Sequence, residues 1–86
     1  MHVKCRWNDW NLEHATKHGC TIEEIEAVLR DPGRGWPRKN GKGRYLVESL
    51  GTGGRMIQVG YVIDDDNTRY VIHAMPLTTR GRRGGR

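Results

Sequence analysis

Apolar and polar residues alternate at the start of the chain, where Val3, Cys5 and Trp7 interleave with His2, Lys4 and Arg6. Period two is the mark of a strand with one buried face. Asn8 or Asp9 can then accept from the free N–H groups of a helix running to about His18, and Gly19 is placed to close it in the left-handed conformation. That helix is short and only loosely amphipathic. Thr21 and Glu24 form a capping box, and Ile22, Ile25, Val28 and Leu29 recur at helical spacing, so a second helix carries one apolar stripe until Asp31 and Pro32 stop it. From Pro32 to Lys42 the composition turns to Gly, Pro, Lys and Arg around Trp36, which predicts an exposed basic loop. Three strands follow, from about Arg44 to Leu50, Arg55 to Ile63 and Thr68 to Met75, separated by the turn sequences at 51–54 and 64–67.

This pattern predicts one α+β domain over residues 1–79, of order β-α-α-β-β-β. A short N-terminal strand precedes two helices packed on one face of an antiparallel three-stranded meander, and residues 80–86, RGRRGGR, form a basic disordered tail.

Loop length fixes hairpin register, so the faces can be assigned. With Thr52, Gly53 and Gly54 as the first loop and Asp65 and Asp66 as the second, Tyr45, Val47, Ile57, Val59, Tyr61, Tyr70, Ile72 and Ala74 face the helices. The other face then reads in rows: Arg44, Val62 and Arg69; Leu46, Gly60 and Val71; Glu48, Gln58 and His73; Leu50, Met56 and Met75.

At 86 residues the chain has room for one core. The net charge of +5 points to an anionic partner, but four of the arginines lie in residues 80–86, and the rest of the chain holds 11 basic and 10 acidic groups. No apolar run is long enough to span a bilayer, and the first residues lack the pattern of a signal peptide. Cys5 and Cys20 are too few for a disulfide framework and are expected to pack as thiols. A cytoplasmic protein without a membrane contact is the expectation. A helix-turn-helix DNA reader over residues 9–30 is disfavoured, because its recognition helix would be acidic.

Certain phrases carry a family resemblance. Trp7 through Asn11, then Lys17, His18 and Gly19, and Glu23 and Glu24 before an apolar helix ending at Asp31 and Pro32, resemble the opening of the BrnT-like toxins within the RelE/ParE superfamily. Val71, Ile72, Ala74, Leu77, Thr78 and the arginine cluster resemble the family's last strand and basic terminus. The resemblance implies a toxin of a type II toxin–antitoxin pair, an endoribonuclease that inhibits translation and is held inactive by a cognate antitoxin. Two positions depart from the family pattern: Met75 stands where the family usually has arginine, and Gly81 where it usually has glutamate. Methionine cannot donate to phosphate, so a non-catalytic relative that binds RNA or an antitoxin is the alternative.

Cleaving RNA without a metal needs a base for the 2′-hydroxyl, a donor for the leaving oxygen and fixed positive charge for the phosphorane. Glu48 and His73, flanked by Arg44 and Arg69, are the candidate catalytic set. Arg55, Arg38, Lys39, Trp36, Arg80, Arg82 and Arg83 are candidate RNA contacts, since arginine binds phosphate and tryptophan offers a π-face. His14 and His18 sit four apart with Cys20 nearby, yet no fourth ligand is evident, so neither a metal nor another cofactor is expected. Glu23, Glu24 and Glu26 read as a solvated helix face.

Overall fold

The computed structural model describes residues 3–77; the expected tail, with Arg80, Arg82 and Arg83, lies outside them. Seven elements follow in order: β1 (Cys5–Arg6), α1 (Asp9–Thr16), α2 (Ile22–Arg30), β2 (Arg38–Lys39), β3 (Arg44–Leu50), β4 (Met56–Ile63) and β5 (Arg69–Pro76). The fold is α+β, and β3, β4 and β5 form the expected antiparallel meander. The sheet is larger than that meander, however: five strands in the order β1-β5-β4-β3-β2, mixed because β1 runs parallel to β5.

The fifth strand was hidden in the segment expected to be a loop. Gly41 and Gly43 take positive φ, and the Asn40 N–H donates to the Arg44 carbonyl at 2.9 Å, folding Arg38 and Lys39 back against β3. Two residues are too few for a periodic signal.

Both helices begin on capping boxes. In α1 the side chains of Asn8 and Asn11 each accept from the other's backbone N–H, and the buried Asn11 amide also donates to the Arg6 carbonyl at 2.9 Å. In α2 Thr21 and Glu24 do the same. The apolar stripe of α2 buries Ile25, Val28 and Leu29 against Val47, Ile57, Val59 and Tyr61 of β3 and β4, each full burial of such a side chain being worth about 1.5–3 kcal/mol. The first helix does not simply lie beside the second. Because β1 runs parallel to β5, the chain enters α1 travelling in the direction of β5 and packs along that strand, with Ala15 joining Val71 and Ala74 in the core.

The first hairpin has the expected register, pairing Arg44 with Val62, Leu46 with Gly60, Glu48 with Gln58 and Leu50 with Met56. The second hairpin does not. Asn67 adopts φ +69°, the left-handed region that asparagine tolerates, and the Asp64 N–H donates to the Thr68 carbonyl at 2.8 Å, so the loop is Asp65 to Asn67, three residues and not two. One extra residue reverses the faces. Arg69 and Val71 therefore turn to the helix-covered side, and Tyr70, expected inside, turns out. A bulge opposite Gly60 and Tyr61 then inserts Ile72 as an unpaired residue, and the alternation recovers: Ala74 is buried as expected, and His73 and Met75 lie on the open face. The open rows are thus Arg44, Val62 and Tyr70; Leu46, Gly60 and His73; and Glu48, Gln58 and Met75.

Candidate functional site

His73 is placed by a glycine. It sits opposite Gly60, where an added Cβ would come within 3.5 Å of the His73 Cβ and 3.9 Å of Leu46 Cδ1. With that side chain absent, the imidazole can lean one row along the strand. Its Nε2 lies 3.1 Å from Gln58 Oε1, and Gln58 Nε2 donates to Glu48 Oε2 at 3.0 Å. The three side chains expected in one row are joined by hydrogen bonds, though His73 reaches Gln58 from the next row.

The chain has a direction. The Glu48 carboxylate takes the amide nitrogen of Gln58, which leaves the amide oxygen towards His73, and an oxygen only accepts. The proton of the neutral imidazole therefore sits on Nε2. Nδ1 keeps its lone pair and has no hydrogen bond among the described residues. Burial, then the charges of His18 and Lys17, push His73 below the ordinary histidine value, so the base form prevails at neutral pH.

The first helix supplies the other wall. Trp10 and His14 are four apart and stack with ring centroids 3.8 Å apart, while the His14 Nδ1 lies 2.7 Å from the Trp10 carbonyl and so carries the proton. Tyr70 lies nearly parallel to Trp10 at 6.4 Å, and Arg6 covers the Tyr70 ring at 4.2 Å while its Nε donates to Asp64 at 2.8 Å. In the turn after α1, the exposed His18 meets His73 edge-on at 6.3 Å. Trp10 is 50% exposed. Aromatic and imidazole rings thus border the open sheet face, with His14 stacked on Trp10 and one face of Tyr70 covered by Arg6.

The expected charges are only partly here. Arg44 is exposed on the open face. Arg69 is a correction: on the covered side, its Nη1 donates to the Asn67 carbonyl at 2.9 Å and its guanidinium lies 5.9 Å from the Tyr61 ring, bordering a pocket of about 120 Å³ with Val3, Leu29 and Val47. It is removed from Glu48 and His73 by the hairpin slip. Arg55 is a second correction, since Nε and Nη2 both donate to the Glu24 carboxylate at 3.0 Å and Nη2 also reaches the Gly19 carbonyl at 2.8 Å. Glu24 is correspondingly buried and not solvated, and the Arg55 hydrogen bonds hold its carboxyl below the usual value. Glu26 likewise accepts from the Trp7 indole at 2.9 Å. Trp36 is half-buried against the core with Arg38 stacked at 4.4 Å, so that ring face is occupied; Lys39 remains exposed in β2.

Lys17, Trp10 and Tyr70 were not singled out as site residues from sequence. The spacing of Trp10, His14 and His18 was the available signal, but it gave no partner. Both thiols are held in the protonated form: burial, and then Glu26, push Cys5 up to about 11, and burial raises Cys20. Among the described residues no group of three or more His, Cys, Asp or Glu side chains is placed to hold a metal ion, and no helix is long and apolar enough to cross a membrane. No protein-family model, curated protein or solved structure matches the chain.

Proposed function

We propose that this chain is a toxin-like protein that acts on RNA in the cytoplasm, an endoribonuclease using His73 as its proton-transfer group and restrained by a cognate antitoxin. The observation that carries the reading is the Glu48–Gln58–His73 chain, which favours one tautomer and leaves Nδ1 of His73 without a hydrogen bond among the described residues. General-base catalysis needs a positioned base in its unprotonated form, and the amide of Gln58 orients the His73 ring without adding charge to it. The half-exposed Trp10 ring, the exposed Arg44 of the open face and Lys17 beside His73 suit a single-stranded polyanion whose bases are unpaired. The BrnT-like resemblance supplies the antitoxin part of the proposal.

One observation favours a second reading, a non-catalytic RNA- or antitoxin-binding protein. Met75 faces out opposite Gln58, and Arg55 and Arg69 are engaged elsewhere, which leaves little fixed charge beside His73 to stabilise a phosphorane. The deciding experiment incubates the purified chain with single-stranded RNA. Cleavage that disappears in His73→Ala supports the nuclease; binding without cleavage supports the second reading in its RNA-binding form, and neither binding nor cleavage removes both readings that involve RNA and leaves only the antitoxin-binding one.

A further inference from the structure

We propose that the pocket on the helix-covered face, between the end of α2, the 32–37 loop and the start of β5, binds a small monocarboxylate whose apolar body is a single ring or a branched chain of similar size. The pocket lies on the opposite side of the sheet from His73 and stands independently of the RNA reading.

The walls set the body of the ligand. Val3, Leu29, Pro32, Pro37 and Val47 present hydrocarbon to a space of about 120 Å³, a little smaller than the apolar cavities of about 150 Å³ that admit benzene. Burial orders these walls. Val47, Tyr61 and Leu29 are buried and make the floor, whereas Pro37 is exposed and Val3, Pro32 and Arg69 are part-exposed and make the rim. A ligand therefore enters body first and leaves its polar end beside Arg69.

Two groups set that polar end. Arg69 Nη1 donates to the carbonyl and to the side-chain oxygen of Asn67, at 2.9 and 3.3 Å, and both acceptors are neutral. No carboxylate pairs with Arg69 among the described residues: Asp64, at the other end of the same loop, is taken by Arg6, and Glu26 accepts from the Trp7 indole. Tyr61 is 3% exposed, and no well-formed hydrogen bond engages its hydroxyl among the described residues. Burial pushes this phenol up and the Arg69 cation opposes the push, so hydroxyl and guanidinium share one end of the pocket.

A carboxylate answers both groups, one oxygen accepting from the guanidinium and the other from the phenol. Inorganic phosphate matches the cation but leaves the hydrocarbon walls uncovered, and an amine is repelled by Arg69. The cation is here because of the second hairpin: the three-residue loop closed by Asn67 turns Arg69 from the open face to this one.

The test titrates benzoate and isovalerate into the full chain at neutral pH, each beside its amide and beside inorganic phosphate, and follows amide and methyl NMR signals. Saturable shifts at Val3, Leu29 and Val47 are expected with both acids. Benzamide and isovaleramide keep the shape and lose the charge, so they should bind about tenfold or more weakly, and phosphate should bind more weakly than either acid. Tyr61→Phe keeps the ring in the core and should lower affinity for the acids with parental melting; Arg69→Gln should bring the acids down to the level of their amides. Because Arg69→Gln also gives up its bonds to Asn67, the acid–amide comparison in the parent chain tests the charge without any change to the loop. No binding of either acid, amides that bind as tightly as the acids, phosphate that binds as tightly as benzoate, or shifts confined to the open face around Arg44 each overturns the site. None of these results touches the RNA reading, and a chain without action on RNA leaves the pocket proposal standing.

Discussion

Two glutamates anchor two polar networks in this small fold, and their partners separate structure from chemistry. Glu24, at the start of α2, is met by the cation of Arg55 and by the Thr21 backbone, while Gly51 and Gly53 fit the hairpin loop around it; an added Cβ would come within 3.3 Å of Glu24 Cβ at the first and 3.0 Å of Glu24 Oε2 at the second. Glu48, on the open face, is met by the neutral amide of Gln58, which in turn meets His73. The first network closes on itself: helix, hairpin and loop are tied, and the carboxylate is consumed. The second ends in a lone pair. A carboxylate that acts through an amide on an imidazole fixes orientation without neutralising the group it orients, which is the arrangement proton transfer requires.

The largest expected effect breaks the second network at its end. His73→Ala should lower RNA cleavage by about 10²–10⁴-fold with little change in melting temperature, because the ring lies on the open face and only the Gln58 hydrogen bond and the edge-on meeting with His18 are lost. A variant that cleaves at the parental rate sinks the assignment. Next comes the middle of that network. Gln58→Leu removes both hydrogen bonds but leaves the His73 ring in place, so cleavage should fall less than in His73→Ala, and ¹⁵N spectra should show the imidazole proton distributed over both nitrogens instead of held on Nε2. Retention of a single Nε2–H tautomer in Gln58→Leu contradicts the directional argument.

The two networks also differ in how far they were legible in sequence. The pairing of Glu48 with Gln58 follows from the loop between β3 and β4, whose length and glycines are enough to fix the register. His73 was placed on the correct face for a reason the sequence did not contain. A three-residue loop with Asn67 in the left-handed region shifts the strand by one, and the Ile72 bulge shifts it again. Between these two shifts the faces are exchanged, and there Arg69 was lost from the site and Tyr70 gained. The bond from Arg55 to Glu24 spans 31 residues, and no local pattern announces it. The same holds for α1 against β5: the spacing of Trp10, His14 and His18 was visible, but which strand would receive them depended on β1 pairing parallel to β5.

Breaking the first network should cost stability and not chemistry. Thr21→Ala removes the side-chain acceptor of the Glu24 N–H and should lower stability by about 1 kcal/mol, read by urea unfolding, with RNA cleavage unchanged at temperatures where the variant is folded. Loss of cleavage in that folded variant would mean that the two networks are coupled.

The smallest effect is the one that tests both networks together, through pH. His73 is held below the ordinary 6.5, so as pH falls below that value the unfolded chain binds a proton that the native chain refuses, and stability declines until the native His73 also titrates. Glu24 is held below the ordinary 4.5, so its contribution is full above that pH and is lost as pH falls through the lower native value. Both steps therefore run the same way, stability falling with acid, but in separate windows. His73→Gln should flatten the upper window and leave the lower; Glu24→Gln should reduce the lower and leave the upper. The reduction is partial, because Asp66, whose carboxyl is also held down by its hydrogen bonds to Thr68, titrates in the same low range. Thermal melts of the parent and the two variants across both windows read this directly. A parent whose melting temperature is flat between the ordinary histidine value and the onset of carboxylate titration would show that His73 is not disfavoured as a cation. The base role would then lose its electrostatic support, while the Glu24 network would stand unchanged.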